Sequence, residues 1–175
     1  MIHNYIAALP EISLAAGLLV MALVRLFRSE NTPKTFYTLG KFFLAFTLLT
    51  TVVFYNRSWL PQIFENNPYT SLFKIIICLF TLAWAYLSCK WFLNKNYSSW
   101  SFYSLILLEV LLLSLAISAL NFAALFVGLQ GAFLLNWFLI RLGDDEEKKK
   151  RDAARRFLCF ALLFAAFFAC GCVLI

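Results

Sequence analysis

Residues 101–141 read SFYSLILLEVLLLSLAISALNFAALFVGLQGAFLLNWFLIR, and residues 142–156 continue LGDDEEKKKRDAARR. Two apolar segments meet at Ser118-Ala119-Leu120-Asn121, a small, polar turn too short for a soluble linker. Glu109 lies near the middle of the first segment and Gln130 near the middle of the second. At about 1.5 Å per residue, both would sit roughly 12–15 Å from the ends of their helices, close to a bilayer midplane. A carboxylate at that depth costs about 3 kcal/mol on insertion scales, so Glu109 is a candidate functional residue on chemistry alone.

The whole chain shares this character. Of its 175 residues, 63% are hydrophobic and 14% charged, and 20 are Phe. A soluble domain is about half apolar and about a quarter charged, so the composition specifies an integral membrane protein. The length suits six spans with almost nothing outside the membrane. Apolar runs and breakers place them at about 5–27, 36–55, 71–92, 101–120, 122–141 and 153–175, a single all-α transmembrane domain. Pro10 and Glu11 open the first span, where Pro is tolerated and Glu complements the helix dipole. Lys41 lies one turn or more inside the second span and would snorkel. Lys74 stands near the start of the third, and Trp84, Trp91, Tyr97 and Trp100 gather towards its exit as an aromatic belt.

The net charge of +6 reflects topology rather than a nucleic-acid partner, because the basic residues fall in the connections. Of the 15 Lys and Arg, thirteen share one side in a six-span layout, from Arg25 and Arg28 through Lys148-Lys149-Lys150-Arg151 to Arg155 and Arg156. Only Arg57 and Lys74 fall on the other. This split places both termini away from the cytoplasm or matrix. The five Cys lie within apolar segments without metal-site spacing, and His3 has no partner motif. Asn56-Arg57-Ser58 and Asn96-Tyr97-Ser98 match the short glycosylation sequon. No nucleophile constellation, phosphate loop or redox ligand set is present, so no cofactor is expected. The intramembrane polar residues Glu109, Ser114, Ser118, Asn121, Gln130 and Asn136 leave three readings open: a proton-handling subunit with Glu109 as relay, a structural subunit, or a small stand-alone transporter.

Certain motifs resemble one family. They are Leu9-Pro10-Glu11 in the first span, Phe102-Tyr103 in the fourth, the run from Asn121 to Gln130 (NFAALFVGLQ) in the fifth, and Asp152-Ala-Ala-Arg-Arg-Phe157 in the sixth. Together they resemble the antiporter-like subunit 2 (subunit N in bacteria) of the proton-pumping NADH:ubiquinone oxidoreductase, respiratory complex I. The six spans look like the first six of that subunit's about fourteen helices, which form two inverted repeats. The resemblance implies a non-catalytic subunit of a proton-translocating enzyme, without redox chemistry on this chain. The membrane would be the mitochondrial inner membrane, or alternatively the bacterial cytoplasmic membrane. Expected partners are neighbouring membrane-arm subunits, lipids, and a second chain carrying the remaining helices of a split subunit. The motif Glu that carries protons in the family is matched by Gln130, and the sixth-helix Lys by Arg156. With Glu109, these are the candidate proton-pathway residues. Gln cannot titrate and Arg stays protonated, so the usual half-channel is altered here. The runner-up is a small multispan structural or transport protein outside respiration.

The charge split is tested by exposure. A cysteine at Asp145→Cys should react with a membrane-impermeant maleimide only from the cytoplasmic or matrix side. Labelling from the opposite side alone would invert the topology.

Overall fold

The computed structural model describes residues 8–27, 33–55, 64–94, 99–141 and 147–173. His3, the connection 29–32, both sequons, Trp59, Pro61 and the acidic residues 144–146 lie outside the described residues, as do the side chains at 89–99 and 147–151. The described residues form six helices: α1 (Leu9–Phe27), α2 (Pro33–Val53), α3 (Pro68–Asn94), α4 (Ser99–Ser118), α5 (Phe122–Arg141) and α6 (Glu147–Val173). Each contains a stretch long and apolar enough to cross a membrane. The chain is an all-α polytopic membrane protein.

Local chemistry sets several helix ends. Pro33 and Pro68 occupy the first positions of α2 and α3, where a missing N–H costs nothing. Asn121 caps α5: its Oδ1 accepts from the Ala123 amide at 3.0 Å, and its carbonyl accepts the first helical bond from Leu125. At the other side of the same turn, the Ser118 carbonyl would be left open by the end of α4. The segment before α3 closes it, with the Glu65 amide donating at 2.8 Å and Phe64 forming a short antiparallel bridge to Ala119.

Helix α4 is the centre of the bundle. It packs against α1, α2, α3 and α5, and 44% of its span is buried against 6% for α6. The core forms around Phe102, Tyr103, Ile106, Leu107 and Val110 of α4, with Leu14, Met21, Phe36, Leu44, Cys78 and Ala85 from α1–α3. A helix apolar all round is one surrounded by partners, which is the position α4 takes. Leu19, Phe80, Leu162 and Phe167 are exposed on the outer faces, as apolar residues of a membrane protein can be. Helix α6 rests chiefly on α5 through a row of rings. Phe126 stacks on Phe168 at 5.5 Å, and Phe133 lies between Phe157 and Phe164 at 6.2 and 5.4 Å. Of the described cysteines, Cys78 is buried while Cys159 and Cys170 are exposed on α6.

The α4–α5 hairpin closes tightly because α5 presents Gly128. A Cβ there would lie 2.7 Å from Ala116 Cβ and 2.9 Å from the Leu112 carbonyl oxygen. Small residues that let helix backbones approach are the usual basis of packing in lipid, where hydrophobicity gives no drive between helices. Gly128→Val should therefore destabilise the purified chain by about 1–3 kcal/mol in a denaturant titration in micelles. A change under a few tenths of a kcal/mol would show that the close approach is absent.

Candidate functional site

The polar residues gather in two places. The first is at the end of the bundle that holds the start of α1, the α2–α3 connection and the α4–α5 turn. Glu11 lies in the first turn of α1 and Lys74 in the second turn of α3. Lys74 Nζ donates to Glu11 Oε1 at 2.6 Å and to Asn66 Oδ1 at 2.7 Å. Both charged side chains are sealed from the surroundings, at 2% and 7% exposure. Ser118 Oγ donates to Asn66 Oδ1 at 3.1 Å, which joins the end of α4 to the cluster. Beside it, the hydroxyls of Ser13 and Thr47 bond at 2.7 Å and tie α1 to α2.

This arrangement changes the reading of two residues. Glu11 complements the α1 dipole but is also the counter-ion of Lys74, a pairing that no sequence spacing announces across 63 positions. Lys74 is no free cation near the interface, because the carboxylate neutralises it where it stands. The ion pair is buried, so its attraction has to offset the desolvation of two charges, with Asn66 supplying the extra acceptor that such pairs need. Glu11 Oε2 remains buried without a hydrogen-bond partner.

The second place is the middle of the α4–α5 hairpin. Glu109 is half-buried on α4, and Asn136 Nδ2 of α5 donates to its Oε1 at 2.6 Å while also donating to the Ala132 carbonyl at 3.1 Å. Glu109 and Asn136 line an open cavity of about 840 Å³ between α3, α4 and α5, together with Phe80, Trp84, Phe102 and Leu139. Gln130 is half-buried on α5, and its Nε2 is buried without a partner. Arg156 is exposed on α6. Glu109, Gln130 and Arg156 are thus not joined by any hydrogen bond among the described residues. The acid takes Asn136, not Gln130, as its partner. Asn136 sits six residues beyond Gln130, and nothing in the sequence favoured one amide over the other.

At the opposite end of the bundle, the Lys41 ammonium lies 3.8 Å from the centre of the Tyr37 ring and 5.6 Å from that of Tyr86. The Arg141 guanidinium lies 5.0 Å from the Trp137 ring. Both cations are held on aromatic faces, Arg141 at the end of α5 and Lys41 about two turns inside α2. Among the described residues no group of three His, Cys, Asp or Glu side chains could hold a metal.

A six-helix membrane bundle with one sealed ion pair and one open midplane carboxylate defines the class: a polytopic membrane protein that carries charge inside its helical layer. Within that class the chain shows a weak similarity to a curated protein. It is 23% identical over 178 residues to the NADH-quinone oxidoreductase subunit N of Campylobacter lari, a match covering 98% of this chain and 36% of that protein. The chain therefore spans about a third of the length of the curated relative it matches. No family model matches it.

The ion pair can be tested by unbalancing it. Lys74→Met leaves Glu11 buried without a cation and should cost about 3–5 kcal/mol in a micelle unfolding titration. The double variant Glu11→Gln, Lys74→Met should recover a large part of that loss. Additive costs would mean that the two side chains are not coupled.

Proposed function

We propose that this chain is the N-terminal, six-helix part of a subunit N-like component of the membrane arm of an NADH:ubiquinone oxidoreductase, and that it contributes to proton translocation by that arm. The observation that carries the reading is a similarity running the length of the chain, on a bundle whose helices and internal charges suit such a subunit. The span of α6 is only 6% buried, and this is the face on which further helices of such a subunit would pack. The basic ends of the helices, including Arg25, Arg141, Arg155 and Arg156, face the matrix or cytoplasm, and the Glu11–Lys74 cluster lies towards the opposite side. The host membrane is the mitochondrial inner membrane.

Of the three pathway candidates, Glu109 is the one that can take up and release a proton. Gln130 holds no titratable proton, and Arg156 stays charged under ordinary conditions. Glu109 faces an open cavity but is bonded only to Asn136 within the chain, so any proton path through it is completed by other helices. Gln130 and Arg156 then act as fixed polar and charged groups along that path.

Purification in mild detergent decides the class. The chain should come away with a peripheral arm containing flavin and iron–sulfur clusters, and purification with an unrelated transporter would end the proposal. In the intact enzyme, Glu109→Gln should lower the number of protons moved per NADH while leaving electron transfer to quinone in place. An unchanged stoichiometry would assign Glu109 a structural role.

A further inference from the structure

Glu109 has no counter-ion among the described residues. Oε1 takes the Asn136 amide, whereas Oε2 makes no hydrogen bond among the described residues and is not sealed in. No described basic residue forms an ion pair with it. Lys74 is committed to Glu11, Lys41 lies over the rings of Tyr37 and Tyr86 inside the bundle, and Arg141 lies over Trp137 at the end of α5. Eleventh of the 20 residues of α4, Glu109 sits roughly 15 Å from either end of the helix. Lipid chains filling the adjoining cavity would leave a carboxylate in hydrocarbon, which is unfavourable.

The cavity is shaped for something other than lipid chains alone. Its volume of about 840 Å³ lies over α4, between residues of α3 and α5, and is partly open. Phe80 and Trp84 on the α3 rim are 74% and 61% exposed. The faces of such rings attract a cation, and a carboxylate beside them adds the full opposite charge. Hydroxyls at the rim do not compete for the acid, because Thr81 donates to the Ile77 carbonyl and Ser88 to that of Trp84. The elements are an apolar trough, aromatic walls and one unmatched negative charge at mid-depth.

We propose that this cavity seats a transmembrane helix of another chain, and that the helix brings a lysine or arginine side chain to Glu109. The apolar body of the helix replaces lipid along α3 and α5. Its cation offsets the carboxylate and lies against Trp84 and Phe80. Glu109 is then a recognition residue: a helix without a centrally placed base leaves the acid unpaired and is disfavoured. The proposal depends on the membrane-arm reading only for where the partner chain is to be sought.

Photo-crosslinking in intact membranes tests it. With Phe80 replaced by p-benzoylphenylalanine, irradiation and peptide mass spectrometry should identify an adduct in an apolar segment with a Lys or Arg near its middle. Glu109→Gln should lower the adduct yield about tenfold or more, and Glu109→Asp, which keeps the charge, should retain most of it. Exchanging the charges, with Glu109→Lys and the partner's base changed to Glu, should restore the yield. Adducts with lipid alone, with a helix lacking a central base, or with a yield indifferent to Glu109→Gln would each overturn the proposal. A basic helix from outside the respiratory enzyme would uphold it while refuting the membrane-arm function. A failed crosslink beside a co-purified flavin arm would do the reverse.

Discussion

Everything at one end of this bundle depends on the contact between Lys74 and Glu11. In hydrocarbon a lone ammonium or carboxylate is costly, and each of these is nearly sealed from its surroundings. Their pairing makes the start of α1 and the start of α3 neighbours. Asn66 then brings the chain before α3 into the same network, and Ser118 adds the end of α4. The backbone follows, as Glu65 closes the open carbonyl of Ser118. One ion pair thereby organises three otherwise separate pieces of chain, and α4 is held in the centre with helices on several sides.

The contrast with Glu109 is instructive. Both acids lie in apolar helices, yet one is matched within the chain and the other is not. Glu11 is surrounded by its own bundle and has its cation there, although its Oε2 finds no hydrogen-bond partner among the described residues. Glu109 has one amide for company and a broad opening beside it. Helix α6 is similarly turned outward, held to α5 by its phenylalanine row and otherwise little covered. The bundle thus has one internally paired end, where α1, α3 and α4 meet at the Glu11–Lys74 pair, and an open side along the Glu109 cavity and α6.

The fold class was legible because the lipid phase imposes a coarse rule. A run of about 20 apolar residues bounded by charges or breakers has few alternatives to a membrane helix, and this chain contains six. Asn121 was also visible as a polar turn residue, and its capping role follows from its type. The site was far less legible. Glu11 read as a dipole partner because the helix start is local, whereas Lys74 lies 63 residues away. Charge pairing across such a distance is set by which helices become neighbours, and periodicity carries no information about that. The same limit applied to Glu109, where Gln130 and Asn136 were equally available on α5 and helix rotation alone selected Asn136.

The central claim is that these six helices are built into the membrane arm of an NADH–quinone oxidoreductase. The most direct measurement is an electron cryomicroscopy map of the native assembly purified without crosslinker. The account predicts density for α1 to α6 within that arm, with the Glu11–Lys74 pair intact and further helices packed against α6. A map showing α6 surrounded by lipid, or placing the six helices in an assembly without a redox arm, would contradict it.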